Sequence, residues 1–195
     1  MHLGVACTVV AAVFAGAGAG ADSGRLQEVC VLKTDHGTMV FRFFTDDAPR
    51  TAAQFKRLVG AGFYDGKAFY RVVAGHVIQA GAGDDTDEPT VKAEFNDNPH
   101  VVGAVGLARS EDPDSGSTEF YICHAPRPHL DGKYTVFGQL IDGYDVLDRI
   151  ATVEVEEKWV ADGKVAFHEP KRPVVIEKAS LEQREVAAGD DAPDR

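Results

Sequence analysis

Short runs of apolar, β-branched and aromatic residues recur along the chain, and residues that favour turns bound each of them. Asp35-His36-Gly37 separates the first two runs and is typical of a hairpin turn. A Gly- and Asp-rich stretch at 80–89 excludes helix and central strand. The pattern predicts β structure at 29–33, 38–44, 68–78, 104–108, 119–123, 135–140 and 174–179.

Two segments have the spacing of an amphipathic helix instead. In the first, Pro49 precedes four apolar residues at helical intervals: Ala52, Phe55, Leu58 and Val59. The polar residues at 45–47 are expected to supply its capping side chains, with proline near the first turn. The second predicted helix covers Tyr144–Ala151.

Many short strands, joined by turns and accompanied by two helices, favour an antiparallel sheet closed into a barrel or sandwich with helices at its ends. Between Ile150 and Pro173, alternating acidic residues precede Asp162-Gly163, so we expect a β-hairpin with one solvated face. Trp159 in this hairpin is expected either to pack on the barrel or to mark a partner surface.

The two ends of the chain differ in composition from the rest. Residues 1–21 contain no Asp, Glu, Lys or Arg and end in the small residues Ala19-Gly20-Ala21, so we interpret them as a cleaved secretory signal peptide. This predicts a secreted or periplasmic protein. A membrane anchor is the alternative, but the segment is short and weakly apolar, and lipidation at Cys7 is less favoured still. We expect 22–28 to be a polar lead and 182–195 an acidic disordered tail.

Composition narrows the class of protein and its partners. The chain has 195 residues, 44% hydrophobic and 26% charged, which is typical of a soluble protein with one main domain. Its formal net charge of −11 repels phosphate, so neither nucleic acid nor a membrane surface is expected as a partner. We expect a monomer, with Cys30 and Cys123 buried separately as unpaired thiols.

Three collinear segments resemble the cyclophilins. They are FYRVVAGHVIQAG at 69–81, STEFYI at 117–122 and LDGKYTVFG at 130–138. Each is a weak signal alone, but together they are specific, and the resemblance extends over residues 29–181. The segment at 107–116, together with Tyr134, is similar to the secreted bacterial members.

The resemblance implies a mainly β fold, namely a closed eight-stranded antiparallel β-barrel capped by two α-helices. It implies peptidyl-prolyl cis-trans isomerase activity on proline-containing polypeptides, with no metal or other cofactor. It makes Arg71 the catalytic arginine and Gln79 a neighbour that hydrogen-bonds the substrate backbone. It assigns substrate binding to His76, Val77, Ala108, Arg109, Glu119, Tyr121, His129, Leu130 and Tyr134.

The implied proline pocket departs from the family pattern. Where the family usually has large apolar residues, this chain has His76, Val77, Tyr121 and His129, and only Leu130 keeps the common type. We therefore expect a more polar pocket and reduced activity. Glu119 replaces the usual glutamine and is expected either to hold the guanidinium of Arg71 or to compete with substrate for it.

The chemistry requires no nucleophile because rotation of an X-Pro bond breaks no covalent bond. Amide resonance sets a barrier of about 18 to 20 kcal/mol. The twisted amide nitrogen loses this resonance and accepts a hydrogen bond, so a fixed donor beside an apolar pocket lowers the barrier. The guanidinium of Arg71 suits this role because it stays charged and carries several donors.

Other interpretations remain at this point. His76 and His129 are expected either to gate binding, so that kcat/KM falls between about pH 8 and about pH 5.5, or only to fill space. A proline-binding module of the same fold with little isomerase activity is the alternative function. A metal site at His124 and His129 or in the acidic stretch 84–88 is disfavoured because neither has the ligand spacing of a zinc or calcium site. A hydrolase is disfavoured because Gly-x-Ser-x-Gly is absent.

Overall fold

The computed structural model of the chain describes residues 25–81, 87–160 and 165–186, without the side chains at 159–160 and 165–167. The proposed signal peptide and Cys7 lie outside these ranges. The elements are β1 (Arg25–Thr34), β2 (Gly37–Phe43), α1 (Pro49–Gly60), β3 (Ala68–Val72), β4 (Val77–Ala80), β5 (Ala104–Leu107), β6 (Phe120–Cys123), β7 (Val136–Asp142), α2 (Tyr144–Ala151), β8 (Val155–Val160), β9 (Val165–Pro170) and β10 (Val174–Val186).

Eight of these strands close into a barrel in the order β1-β10-β3-β4-β6-β5-β7-β2, and neighbouring strands are antiparallel. The predicted fold class is therefore confirmed, and the choice between barrel and sandwich is settled as a barrel. Helix α1 packs against β10 and β7, while α2 packs against β2 and β4. Among the described residues, no helix is long and apolar enough to cross a membrane.

The barrel extends beyond both predicted domain limits. Strand β1 already begins at Arg25, and β10 pairs with it from Lys178 through to Val186, so that Arg25 lies opposite Val186. The polar lead expected at 22–28 therefore belongs to β1 from Arg25 onwards, and the expectation of disorder is wrong for 182–186. The acidic composition of 182–186 predicts disorder, but a strand whose other face meets solvent needs apolar residues on one face only. Val186 is buried with Val29 on that face, while positions 187–195 lie outside the described residues.

The main core fills the inside of the barrel around Phe55 of α1. Its ring stacks on Tyr64 at a centroid distance of 4.8 Å and meets Phe120 edge-on at 5.2 Å. Phe41 and Phe137 pack against the same ring from β2 and β7. The apolar positions that predicted α1 thus anchor the helix to the barrel. Edge-on and stacked ring pairs of this kind stabilise a core beyond the apolar area that they bury.

The N-terminus of α1 is capped by a residue distant in sequence, contrary to prediction. Pro49 begins the helix as expected, but Ala48 precedes it and the polar segment 45–47 makes no side-chain cap. The carboxylate of Glu94 instead accepts hydrogen bonds from the main-chain amides of Arg50 at 3.1 Å and Thr51 at 2.8 Å. Burial of Glu94 by itself would raise the pKa of its carboxyl group, but these hydrogen bonds lower that pKa below its usual value.

Strands β8 and β9 form a separate two-stranded antiparallel sheet beside β3, as the hairpin prediction required. Lys158 pairs with Glu169 across this hairpin, and Lys171 pairs with Glu154 at its base. The predicted Asp162-Gly163 turn and the side chain of Trp159 lie outside the described part of the structure.

The two cysteines within the described residues are buried and unpaired, as predicted. Cys30 lies in the barrel core and Cys123 in a second apolar cluster on the outside of the wall. Burial raises the pKa of both thiols, so they remain protonated and behave as small apolar side chains.

Replacing the distant cap should destabilise the fold in a pH-dependent way. We expect Glu94→Gln to lower the free energy of unfolding by about 1–3 kcal/mol at neutral pH, because a buried group that receives several hydrogen bonds is removed. The folded-state pKa of Glu94 lies below its usual value of 4.5. Its stabilisation is therefore present above that value and is lost as the pH falls through the folded-state pKa.

Urea unfolding at about pH 7 and about pH 3.5 measures this difference. The matched control is Glu111→Gln, because Glu111 is exposed. Equal stability of Glu94→Gln and wild type at neutral pH would contradict the capping role.

Candidate active site

Strand pairing brings the predicted catalytic residues side by side on the outer face of the barrel wall. Arg71 of β3 lies opposite Gln79 of β4, Gln79 lies opposite Tyr121 of β6, and Tyr121 lies opposite Gly106 of β5. Alternate residues of these strands, such as Ile78 and Phe120, point into the core instead. The strand period thus collects polar and aromatic side chains from distant segments in one row.

A cavity of about 270 Å³ opens beside this row. The lining residues are Arg71, His76, Val77, Gln79, Ala108, Arg109, Tyr121, Leu130 and Tyr134. Every site residue expected from the sequence is thus brought to the cavity except Glu119 and His129. The apolar part of the lining belongs to the second apolar cluster, in which Val77, Ala108 and Tyr121 are buried together and Leu130 packs against them. The cavity therefore has an apolar floor with charged groups on its rim.

The ring of Tyr121 lies directly against the main chain of Gly106. A Cβ atom at Gly106 would come within 2.2 Å of Cζ of Tyr121, a distance that no side chain tolerates. On its other sides, the ring of Tyr134 meets Tyr121 edge-on at 6.1 Å, and the ring of His100 stacks on it at 6.0 Å. Glycine at 106 is therefore what allows an aromatic wall at this position of the cavity.

Arg71 is held by a chain of polar side chains. Its Nη1 donates to Oε1 of Gln79 at 3.1 Å. Nε2 of Gln79 in turn donates to the hydroxyl of Tyr70 at 2.6 Å and to Oε2 of Glu119 at 3.3 Å. The hydroxyl of Tyr70 donates to Oε1 of Glu119. Burial, followed by the hydrogen bond to Glu119, raises the pKa of Tyr70, which remains protonated.

This arrangement corrects the expectation for Glu119. Its carboxylate is hydrogen-bonded to Gln79 and Tyr70 and is not among the residues that line the cavity, so the hydrogen-bonded link from Glu119 to Arg71 in the described structure runs through Gln79. Tyr70 was missed in the sequence because alternation predicts that the neighbour of Arg71 faces the other side of the sheet. The pairing of β3 with β4 is irregular between Phe69 and Arg71, and this turns Tyr70 towards the same network.

Arg109 and Tyr134 form the opposite rim. Nη2 of Arg109 donates to the main-chain oxygen of Lys133 at 2.7 Å, and its guanidinium carbon lies 4.3 Å from the centroid of the Tyr134 ring. This contact orients the aromatic ring and fixes the arginine at the same time. Ala108 at the base is buried, and its main-chain amide donates to the main-chain oxygen of Glu119 at 2.9 Å.

Comparison with known proteins identifies the family. The family described as cyclophilin type peptidyl-prolyl cis-trans isomerase/CLD matches residues 29–181. The chain belongs to this cyclophilin family. A peptidyl-prolyl cis-trans isomerase of Synechococcus elongatus is 45% identical over 116 residues, which are 57% of this chain and 79% of that protein. Peptidyl-prolyl cis-trans isomerase B of Bacillus subtilis is 36% identical over 138 residues, covering 68% of this chain and 96% of the relative.

Solved structures agree on the fold. A cyclophilin type peptidyl-prolyl cis-trans isomerase of Cryptosporidium parvum superposes with a TM-score of 0.72, at 21% identity, over 82% of this chain and 99% of its own. The cyclophilin AquaCyp293 of Hirschia baltica gives a TM-score of 0.66 at 22% identity, over 88% of this chain and 79% of its own. The present chain is accordingly a cyclophilin-type enzyme that isomerises peptidyl-prolyl bonds.

The two pocket histidines of this cyclophilin differ from each other. His76 lines the cavity, whereas His129 is exposed and outside the lining, with its ring centroid 6.2 Å from that of His76. Burial, and then the positive charges of Arg127 and Arg71, lower the pKa of His76 to about 4. We therefore expect no gate that depends on the charge of His76 between pH 8 and 5.5, because a ring with this pKa is neutral in that range.

A third histidine supports the turn that carries His76. Nδ1 of His124 accepts the main-chain amide hydrogen of Gly75 at 2.8 Å, and its Nε2 lies 3.1 Å from Oδ1 of Asp148. Both ring nitrogens are thus engaged in structural contacts. In the described part of the chain, no three His, Cys, Asp or Glu side chains are grouped so that they could hold a metal ion.

The pH profile of this cyclophilin tests the neutral state of His76. Because its pKa is about 4, we expect kcat/KM on an Ala-Pro peptide to stay constant from about pH 8 to about pH 5.5 and to fall below about pH 5. The fall has this sign because protonated His76 would add a charge to the seat of the proline ring. In His76→Phe, which cannot titrate there, the low-pH fall should disappear.

Circular dichroism at each pH is the control for folding. A profile that already declines between about pH 7 and about pH 6 in wild type, and not in His76→Phe, would contradict the lowered pKa.

Proposed function

We propose that Arg71 is the catalytic residue of this isomerase and that the neighbouring cavity seats the substrate proline. The observation that carries the proposal is the position of the Arg71 guanidinium, which is held by Gln79 at the rim of a cavity with an apolar floor. Val77, Tyr121 and Leu130 offer the dry surface that a pyrrolidine ring requires.

The donors of Arg71 suit the twisted amide. Among the described residues its only hydrogen bond is the one from Nη1 to Gln79, so Nε and Nη2 remain available to a substrate. In a planar prolyl amide the nitrogen lone pair is delocalised and accepts no hydrogen bond. At the midpoint of rotation this lone pair is localised, and a guanidinium N–H directed at it stabilises the twisted state over both planar states.

Preorganisation makes this donor effective. The chain from Glu119 through Gln79 fixes the guanidinium before the substrate arrives, so little reorganisation is needed during rotation. A hydrogen bond from a charged donor contributes about 1.5–3 kcal/mol. Since about 1.4 kcal/mol corresponds to a factor of ten in rate, Arg71 is expected to supply roughly 10- to 100-fold of the acceleration.

The substrates that fit this site are proline-containing polypeptides, and the proposal needs no metal or other cofactor. In support, a Cryptosporidium parvum cyclophilin with a TM-score of 0.71 and 22% identity was solved in the presence of the dipeptide Ala-Pro. We further propose that the chain acts as a monomer, outside the cytoplasm, with neither nucleic acid nor membrane as partner. The net charge of −11 and the uncharged N-terminal 21 residues support this.

Removal of the guanidinium tests the catalytic role. We expect Arg71→Ala to lower kcat/KM on an Ala-Pro peptide by roughly 10- to 100-fold, because the donor to the twisted amide is lost. Arg71→Lys should recover part of the loss, since it keeps the charge but not the fixed fork of donors. The assay follows isomerisation by protease coupling or fluorescence.

Arg172→Ala is the matched control, because Arg172 is exposed and lies outside the cavity lining. Equal activity of Arg71→Ala and wild type would refute the role. Absence of acceleration by wild type would favour the proline-binding module instead.

Export tests the proposed location. When the full chain is expressed in a bacterium with a periplasm, we expect it in the periplasmic fraction with a new N-terminus at Asp22, because residues 1–21 carry the features of a cleaved signal. N-terminal sequencing of the fractionated protein measures this. A chain that lacks residues 2–21 serves as the cytoplasmic control, and an uncleaved cytoplasmic full chain would refute the proposal.

A further inference from the structure

A buried histidine connects the wall of the cavity to a carboxylate outside it. His100 precedes β5, and its side chain is fully buried, with 0% exposure. Its Nδ1 lies 2.7 Å from Oδ1 of Asp131, and its Nε2 lies 2.8 Å from the hydroxyl oxygen of Tyr121. Nothing in the local sequence around His100 indicates that its side chain reaches two segments more than 20 residues away.

The partners of His100 determine where its proton lies. An ionised carboxylate only accepts hydrogen bonds, and Oδ1 of Asp131 also accepts the main-chain amide of His100 at 2.8 Å. Nδ1 therefore carries the ring proton. Burial lowers the pKa of His100, so at neutral pH the ring has one proton only, and Nε2 is an acceptor. The hydrogen bond to Tyr121 must then be donated by the tyrosine hydroxyl.

Asp131 is suited to accept the hydrogen bond from Nδ1 of His100. Its partial burial alone would raise its pKa, but the hydrogen bonds from the amide and ring of His100 lower the pKa below its usual value. It is accordingly ionised at neutral pH. Asp131 itself follows Leu130, which lines the cavity, so the same short segment supplies both an apolar wall and the group that orients His100.

We propose that His100, oriented by Asp131, is a positioning residue that holds the Tyr121 ring as a fixed wall of the proline seat and turns its hydroxyl hydrogen away from the substrate. This rests on the proposed function, because it specifies how the same cavity is kept ready for proline. The close contact with Gly106 fixes one face of the ring, and His100 fixes its hydroxyl end.

As a consequence, Tyr121 presents the apolar face of its ring to the cavity, although it carries a hydroxyl group. A hydroxyl with its hydrogen committed to Nε2 cannot donate into the cavity, and an unpaired donor beside the proline ring would oppose its desolvation. The histidine thereby compensates for tyrosine at a position where an aromatic hydrocarbon would need no partner. His100 acts through Tyr121 and makes no contact with the cavity itself, since it is absent from the lining residues.

The first test measures the tautomer in the unaltered protein. A long-range ¹H–¹⁵N NMR spectrum of uniformly ¹⁵N-labelled chain at about pH 7.5 distinguishes a protonated ring nitrogen from a bare one, and this pH lies above the ordinary pKa of histidine. We expect the His100 resonances to show protonated Nδ1 and bare Nε2, assigned by their loss in His100→Leu or, if that variant does not fold, in His100→Gln. Protonated Nε2 would overturn the proposal.

The second test is a double-mutant cycle in KM for an Ala-Pro peptide. In the wild-type background, we expect His100→Leu to raise KM by about 3- to 10-fold with kcat changed less than about 2-fold, because the Tyr121 hydroxyl loses its acceptor. In the Tyr121→Phe background, the same substitution should change KM by less than about 2-fold, because no hydroxyl remains to be positioned.

A merely structural histidine would raise KM equally in both backgrounds, and that result, or an unchanged KM in the wild-type background, would overturn the proposal. His36→Leu is the matched control, since it makes the same substitution outside the cavity. The two proposals can fail separately. An unchanged kcat/KM in Arg71→Ala would refute the catalytic role of Arg71, but it would not change the result expected for His100→Leu. If the wild type shows no turnover, the Kd of the peptide measured by NMR titration replaces KM in the cycle.

Discussion

The site depends on one wall of the barrel being covered on both faces. Along β4 and β6, side chains alternate between the interior, where Ile78 and Phe120 belong to the same core as Phe55, and the exterior, where Val77 and Tyr121 form the floor of the cavity. All residues of β5 and β6 are consequently buried. The rigidity that the core gives to this wall is what keeps Arg71 and Gln79 in place, because both lie on strands of the same hydrogen-bonded sheet.

Charge is distributed around the cavity by two similar polar chains. Among the residues lining it, Arg71 and Arg109 are cationic and none is acidic, although the chain as a whole carries a net charge of −11. The carboxylates of Glu119 and Asp131 lie outside the lining, and each contacts a neutral side chain: Glu119 accepts a hydrogen bond from Gln79, and Asp131 accepts one from His100. Each carboxylate thus orients a neutral side chain without competing with the substrate for Arg71. The lowered pKa of His76 keeps a further ring uncharged at the proline seat.

Local sequence predicted most elements that have one face on the core, but the single β run expected at 68–78 is two paired strands, β3 and β4. Helix α2 was predicted with its observed limits, and the apolar spacing around Phe55 located α1. The same reasoning failed at 182–186, where the pairing partner β1 imposes strand structure on an acidic segment. It also failed at the cap of α1, because Glu94 reaches Arg50 and Thr51 only after the chain has folded around the barrel. Capping from nearby residues is the only kind that sequence spacing can reveal.

The sequence by itself indicated which residues belong to the site, because the segments at 69–81, 117–122 and 130–138 resemble those of the cyclophilins. It also determined that the enzyme needs a donor beside an apolar seat. The tertiary structure alone decided the protonation and hydrogen-bond directions at the site. The neutral state of His76, the indirect position of Glu119 and the contact of His100 with Tyr121 all depend on burial and on neighbours from distant segments. Desolvation and hydrogen bonding are properties of those surroundings, and they exist only in the folded chain.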